Sequence, residues 1–146
     1  MEWTKDDFLI TTDKSRIDIP YVHGFLSQSY WAQHIPLGVV ERSIKGSLCF
    51  SVWNKDRQIG FARVITDEAT FAYLADVFID KEYRGKGLSK WLVKTIIDYP
   101  SLEGLRRFML ATRDAHKLYE KFGFQPLTYA DRWMQIHNPN VYKAKI

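Results

Sequence analysis

The sequence predicts an α/β fold with a mixed central sheet, and three observations support this prediction. Residues 70–79 are apolar on both alternating faces except at Asp76, which is typical of a central strand covered on both sides. A polar loop with two glycines follows, and residues 88–99 then repeat apolar side chains at helical spacing. Strand-forming segments precede this unit and a second strand–helix pair follows it, as expected when helices flank a sheet.

The part of the chain before residue 70 is predicted to contain a strand, two helices and a β-hairpin. Pro20 fits the first turn of the first helix, where its missing N–H would lack a partner in any case. Residues 54–57 supply the polar turn of the hairpin. The predicted elements are a strand at residues 8–13, helices at 19–29 and 36–44, and hairpin strands at 47–53 and 58–66.

The last third of the chain is predicted to form a strand, a helix and two closing strands. Pro100 ends the helix of residues 88–99, because the residue before a proline avoids helical geometry. Asp114 is predicted to cap the next helix, and Gly123 to end it in a left-handed conformation. The predicted elements are a strand at residues 107–112, a helix at 115–122, and closing strands at 124–128 and 133–136.

Length and composition predict one domain spanning residues 1–146. Hydrophobic residues make up 46% of the chain and charged residues 26%, a balance typical of globular proteins. No apolar run approaches the roughly 18 residues of a membrane span, and the N-terminus lacks the pattern of a signal peptide. Cys49, the single cysteine, lies in a predicted strand and is expected to be a buried thiol, which suits a cytoplasmic location.

The formal net charge of +4 leaves a nucleic-acid-binding domain open as an alternative, but no recognition motif supports it. Positive side chains are spread along the chain except at one cluster after the predicted central strand, formed by Arg84, Lys86, Lys90 and Lys94. The histidines have no metal-ligand spacing with cysteines or carboxylates. We therefore expect no nucleic-acid partner, no membrane partner and no metal.

The charged cluster coincides with the strand–loop–helix junction, where the chemistry suits a diphosphate. A helix start offers free N–H groups and a partial positive charge, and Gly85 and Gly87 allow a ligand to approach the backbone closely. Residues 84–89 are called the phosphate loop below. The segment matches neither the Walker loop nor the dinucleotide fingerprint, and a tight turn without a ligand is the alternative.

Residues 77–92 resemble the acyl-CoA-binding signature of the GNAT superfamily of N-acyltransferases, [QR]-x-x-G-x-[GA] at a strand-to-helix junction. Arg84 matches the first position and Gly87 the fourth, whereas Ser89 replaces the usual Gly or Ala at the last. A second block, residues 115–124, resembles the later A-x-x-L-Y-x-x-x-G-F pattern of the same superfamily.

The resemblance implies a GNAT-like mixed sheet with splayed strands, and acetyl-CoA as the co-substrate. The pantetheine arm would lie in the gap between the splayed strands, and the pyrophosphate would lie over the phosphate loop. The implied acyl-CoA contacts are Val77, Phe78, Ile79, Arg84, Gly85, Lys86, Gly87, Leu88, Ser89, Asp114 and Tyr119. A non-catalytic acyl-CoA sensor, with the same loop but no competent acceptor pocket, is the alternative function.

The resemblance also implies direct attack of an amine on the thioester, without a covalent enzyme intermediate. Tyr119 matches the tyrosine that protonates the departing thiolate; its alternative role is packing on an apolar helix face. Asp76 is either the base for the amine proton or a structural carboxylate bonded to the backbone or to Arg63.

The acceptor is expected to be the primary amine of a small molecule or a protein. Aromatic residues between the predicted helices could bind it or could merely pack. The candidate acceptor residues are Tyr30, Trp31, His34 and Tyr73. Residues 131–142 are expected either to close the acceptor side or to pack on another subunit, and a homodimer is compatible with the resemblance.

Overall fold

A computed structural model describes residues 1–143, in which six strands form one mixed sheet. Their spatial order follows the chain order, and every pairing is antiparallel except the parallel one between the last two strands. The strands are β1 (Glu2–Lys5), β2 (Phe8–Thr11), β3 (Leu48–Asn54), β4 (Arg57–Thr66), β5 (Phe71–Ile79) and β6 (Arg107–Leu110).

Among the described residues, four α-helices cover the two faces of this sheet. They are α1 (Ile19–Leu26), α2 (Leu37–Lys45), α3 (Leu88–Ile97) and α4 (His116–Glu120). Strand β3 shows how the faces divide, because Cys49 packs with α1 and α2 whereas its neighbour Phe50 packs with α3. Successive residues of a strand point to opposite faces, so one apolar strand serves both core layers. The predicted α/β class with a mixed sheet is confirmed.

The predicted helices and hairpin form, with small differences at their ends. The first helix stops at Leu26, and α3 stops at Ile97, two residues before Tyr99. Strand β1 has no counterpart in the sequence analysis; it pairs with β2 around a turn in which Asp6 has a φ of 53°. Gly123 has a φ of 95°, as predicted for the left-handed stop after α4.

Two predictions about the C-terminal third were wrong. Asp114 is not the N-cap of α4: that position is Ala115, whose N–H donates to the hydroxyl of Thr112 at 3.1 Å. The closing strands at residues 124–128 and 133–136 do not form, although both lie within the described part of the chain. Pro126 cannot donate to a ladder, and Tyr129 adopts a φ of 59° before a 3₁₀ turn, so the chain is redirected between them.

Strand β5 carries the irregularity that shapes the site. Its pairing with β4 shifts by one residue between Ala75 and Phe78, and Asp76 lies there with a φ of 54°. This is a β-bulge, which bends a strand and re-aims its side chains. Strand β6 pairs only with Phe71–Leu74, so within residues 1–143 the edge of β5 beyond the bulge has no neighbouring strand and the two strands diverge. The splayed geometry implied by the resemblance is therefore present.

Among the described residues, no helix combines the length and the apolarity that crossing a membrane requires.

Candidate active site

The phosphate loop lies between β5 and α3 and leaves the start of α3 open. Asp80 holds the turn before the loop by accepting the Glu82 N–H at 3.1 Å. Gly85 and Gly87 have φ values of 81° and 77°, a region that suits glycine. Gly87 is the N-cap of α3 and has no side chain to bond the first N–H groups of the helix.

The N–H groups of this loop are accessible to a ligand. A Cβ placed on Gly85 or Gly87 would meet nothing within 4 Å, so the space above both glycines is open. Among the hydrogen bonds of residues 1–143, none uses the N–H of residues 85–89 as a donor. Unpaired amides at the positive end of a helix dipole form a ready anion site.

Cationic side chains surround these amides. Arg84 is anchored by its Nε, which donates to the Ile79 carbonyl at 3.3 Å at the end of β5. Lys86 and Lys90 are exposed on the loop and on the first turn of α3. Full positive charges beside free amides match the charge and the hydrogen-bonding needs of a pyrophosphate.

The gap between β5 and β6 exposes backbone groups of alternate β5 residues. Phe78 is paired with Phe61 of β4, and the N–H of Asp80 donates to Ile59 at 2.6 Å, so these positions face β4. Antiparallel strands direct successive residues to opposite edges. The N–H and C=O groups of Val77 and Ile79 therefore face the gap, whereas the Phe78 ring stacks on Phe25 at a centroid distance of 3.7 Å.

A cavity of about 520 Å³, called the central cavity below, lies where the two strands diverge. It brings together side chains from both predicted sites. The candidate residues that line it are Tyr30, Trp31, Tyr73, Asp76, Val77, Asp114 and Tyr119. His34 is not among its lining; it has a φ of 68° and donates its N–H to the Ser27 carbonyl at 2.9 Å.

Tyr119 is 8% exposed and projects from α4 into the central cavity. Its body packs in the core layer, at a centroid distance of 5.9 Å from Phe124. Burial, with a smaller contribution from the nearby Tyr30, raises the pKa of the Tyr119 phenol above its ordinary value. The hydroxyl therefore stays protonated at neutral pH and can act as a proton donor. Tyr119 therefore packs in the core and also lines the candidate site.

Asp76 is tied by both of its carboxylate oxygens. One accepts a bond from Arg63 Nε, and the other accepts the Trp31 indole N–H at 2.8 Å. Arg63 in turn donates to the Ser47 hydroxyl at 3.1 Å. The side chains of Asp76 and Arg63 are only 8% and 18% exposed. The sequence leaves two roles open for Asp76, a base and a structural carboxylate. These contacts favour the structural role, with Arg63 as the partner.

Tyr30 and Trp31 form one wall of the central cavity, with centroids 5.1 Å apart. The Arg113 guanidinium lies 3.8 Å from the centroid of the Tyr30 ring, and the backbone N–H of Arg113 donates to the Tyr30 hydroxyl at 3.4 Å. Tyr142, from the C-terminal segment, also lines the cavity. Because no local pattern joins residues 30, 113 and 142, the sequence alone does not identify Arg113 as a site residue and leaves two roles open for Tyr142.

The site combines an open helix start, a gap between diverging strands and a buried tyrosine beside that gap. These features define a class of α/β proteins that have a split sheet and a site for an elongated anionic ligand. The sequence profile of the "Acetyltransferase (GNAT) family" matches residues 13–124. The chain therefore belongs to the GNAT acetyltransferase family.

Individual relatives agree with this assignment. The crystal structure of a protein from Xanthomonas campestris pv. campestris, described as "a putative acetyltransferase belonging to the gnat family", is 48% identical with a TM-score of 0.92. It covers 94% of this chain and 97% of that one. A Gibberella zeae protein named "Putative acetyltransferase" is 30% identical over 142 residues, or 82% of this chain and 79% of that protein.

A shorter match concerns an enzyme with a named acceptor. The "Thialysine N-epsilon-acetyltransferase" of Sus scrofa is 34% identical over 65 residues, which is 42% of this chain and 38% of that enzyme.

Within residues 1–143, no group of three or more histidine, cysteine or acidic side chains is arranged to hold a metal ion.

Proposed function

We propose that this protein transfers an acetyl group from acetyl-CoA to a primary amine, by direct attack within a ternary complex. The observation that carries the proposal is the continuity of the site. The open amides of the phosphate loop, the gap-facing backbone of β5 and the hydroxyl of Tyr119 follow one another along the same split in the sheet.

We assign acetyl-CoA, the acetyl donor, to the part of the gap between β5 and β6 that ends at the phosphate loop. Its pyrophosphate would accept bonds from the loop amides, with Arg84 and Lys86 supplying charge. The pantetheine amides would pair with Val77 and Ile79, whose backbone groups face the gap. Phe78 supports this wall through its packing, because its backbone faces β4.

The chemistry needs a neutral amine, support for the carbonyl oxygen as its charge develops, and a proton for the thiolate. We assign the proton to Tyr119, whose raised pKa keeps the phenol protonated. The Val77 N–H, next to the bulge and directed into the gap, is the donor that suits the developing oxyanion. The amine nitrogen forms a bond to the acetyl carbon, the carbon–sulfur bond breaks, and Tyr119 protonates the departing sulfur. The nitrogen loses its proton to solvent water, and the Tyr119 phenolate regains a proton from solvent, which balances the transfer.

The acceptor is assigned to the part of the central cavity walled by Tyr30, Trp31 and Tyr73. Aromatic rings favour an acceptor with an apolar or cationic body. Asp76 is assigned a positioning role, because its bonds to Trp31 and Arg63 fix this wall. The name of the thialysine enzyme makes amines of lysine-like amino acids the first acceptors to test.

The test is an assay of free thiol released from acetyl-CoA with a panel of amines, led by lysine-like amino acids and including polyamines and peptides. We expect turnover with at least one amine, and a raised melting temperature with acetyl-CoA alone, because a ligand of the folded state stabilises it. A folded protein that does not bind acetyl-CoA would refute the proposal. Stabilisation without thiol release across the panel would favour the acyl-CoA sensor instead.

A further inference from the structure

Among the described residues, four charged side chains line the central cavity, and they differ in whether they have a partner. Arg63 and Asp76 form an ion pair with each other. The other two are Arg113 and Asp114, which are exposed and lie in the loop between β6 and α4. No ion pair within residues 1–143 includes either of them. The cavity therefore presents one positive and one negative charge that a ligand can pair.

The contact of Arg113 with Tyr30 places its guanidinium on the cavity wall. The guanidinium carbon lies 3.8 Å from the centroid of the Tyr30 ring, and the backbone N–H of Arg113 donates to the Tyr30 hydroxyl. A guanidinium that stacks on an aromatic ring keeps the N–H donors at its edge available. Such an edge binds a carboxylate through two parallel hydrogen bonds.

The position of Arg113 separates it from the phosphates of the donor. None of residues 84–89 lines the central cavity, so the phosphate loop lies outside it. The ring that Arg113 contacts belongs to the aromatic wall assigned to the acceptor. An anionic group bound by Arg113 would therefore belong to the acceptor and not to acetyl-CoA.

The reacting amine must lie deeper in the cavity than the charged groups at its mouth. Tyr119 is 8% exposed, whereas Arg113 and Asp114 are exposed. Tyr30 links the two levels, because it contacts Arg113 and lies close enough to Tyr119 to contribute to the raised pKa of that phenol. An amine on a flexible apolar chain could pass along the Tyr30 and Trp31 rings and reach the thioester beside Tyr119.

We propose that the acceptor is a free amino acid whose side chain ends in the reacting amine, with its α-carboxylate on Arg113 and its α-ammonium on Asp114. This inference rests on the proposed function and narrows its acceptor class. The side-chain nitrogen forms the bond to the acetyl carbon as the carbon–sulfur bond breaks, and the α-carboxylate and α-ammonium take no part in the reaction. A diamine without a carboxylate would leave Arg113 unpaired.

The first test compares three acceptors that differ by one group each. Cadaverine is lysine without its carboxylate, and ε-aminocaproate is lysine without its α-amine. Calorimetric titration of the protein saturated with CoA measures their affinities and requires no turnover. Lysine should bind about tenfold tighter, or more, than either analogue, the size of one lost charge-assisted hydrogen bond. Ornithine and putrescine repeat the carboxylate comparison with a shorter chain. Equal affinity of each amino acid and its diamine, or no binding of any of them, would overturn the proposal.

The second test uses variants of the two charged residues. Arg113→Gln should remove the preference for lysine over cadaverine, and Asp114→Asn should remove the preference for lysine over ε-aminocaproate. Arg42→Gln, at an exposed position on α2 that does not line the cavity, is the matched control and should keep both preferences. If Arg113 only held Tyr30 in place, its loss would weaken lysine and cadaverine equally, and that result would overturn the proposal.

Two further measurements complete the comparison of variants. Melting temperatures show whether each variant folds, and Arg113→Lys, which keeps a cation but loses the planar fork, replaces Arg113→Gln if the latter does not fold. The lysine variant should show a smaller preference for lysine over cadaverine than the wild type. The affinity for CoA should not change in either variant. A loss of CoA affinity as large as the loss of lysine affinity would place Arg113 in the donor site and overturn the proposal.

Failure of this inference and failure of the proposed function give different results. Turnover of amines by a wild-type protein that shows no preference for the carboxylate would refute only the amino-acid acceptor. A folded protein that does not bind acetyl-CoA would refute the proposed function. Titrations without the coenzyme would then still compare lysine with cadaverine and decide the role of Arg113.

Discussion

The phosphate loop and the central cavity differ in how their residues are held. The loop is local: Gly85 and Gly87 set its course, and its cationic side chains make few contacts with the rest of the chain. The central cavity is assembled from residues that are distant in sequence, such as Trp31, Arg63 and Asp76, which bond to one another. Substitutions in the loop should therefore alter ligand binding alone, whereas substitutions in the cavity wall should alter stability as well.

The largest effect is expected for Asp76→Ala, which leaves Arg63 partly buried without its partner. The free energy of unfolding should fall by about 3 kcal/mol, the lower end of the range for a broken buried ion pair. Asp98→Ala removes an exposed pair with Lys94 and is the control, with an expected loss below about 1 kcal/mol. Urea unfolding of both variants measures the difference. Equal losses in the free energy of unfolding would contradict the contrast between the cavity wall and the exposed surface.

The activity of a conservative variant separates the two roles of Asp76. In Asp76→Asn, a positioning role predicts lower turnover with the acidic limb of the pH–rate profile retained. Loss of that limb would identify Asp76 as the base that takes the amine proton.

Tyr119→Phe should lower kcat by about 100-fold, the lower end of the range for losing a general acid. The KM for acetyl-CoA should change little, because the ring and its packing remain. Because the pKa of Tyr119 is raised, the wild-type rate should not fall on the alkaline side until the pH exceeds the ordinary tyrosine value near 10. Steady-state kinetics across pH measure both, and an unchanged kcat would remove Tyr119 as the acid.

Arg84→Ala should weaken acetyl-CoA binding by about tenfold or more, the size of one lost charge-assisted hydrogen bond. Its melting temperature without ligand should stay close to that of the wild type, because the side chain is exposed. Lys81→Ala, in the turn before the loop, is the matched control for charge. Calorimetric titration gives the affinities, and equal weakening by both substitutions would mean that the loop acts only through net charge.

A further prediction concerns Gly60 of β4, which pairs with Ile79 at the end of β5. A Cβ on Gly60 would lie 2.7 Å from Ile79 Cδ1 and 2.9 Å from the Phe78 carbonyl oxygen. Gly60→Ala should therefore lower the free energy of unfolding by about 1–3 kcal/mol through overpacking. Gly24→Ala, in α1 with nothing within 4 Å, should raise it by about 0.5–1 kcal/mol. If both substitutions changed the free energy of unfolding in the same direction, this account would be contradicted.

The sequence alone determined the order of elements from β2 to α4 and the phosphate loop, because periodic apolar residues and paired glycines act over a few neighbours. It did not reveal β1, whose short, largely exposed sequence has no strand period and depends on pairing with β2. It also predicted closing strands at residues 124–128 and 133–136, which do not form. Strand propensity cannot say whether a partner edge is within reach.

Tertiary structure decided the chemistry of the site. Asp76 was recognisable as a polar residue in an apolar strand, but only the bulge in β5 and the positions of Arg63 and Trp31 give its carboxylate two partners. Arg113 and Tyr142 reach the central cavity from segments with no shared motif. Local sequence encodes helices, turns and a loop with free amides, whereas contacts across the sheet determine which side chains meet and which edge stays open.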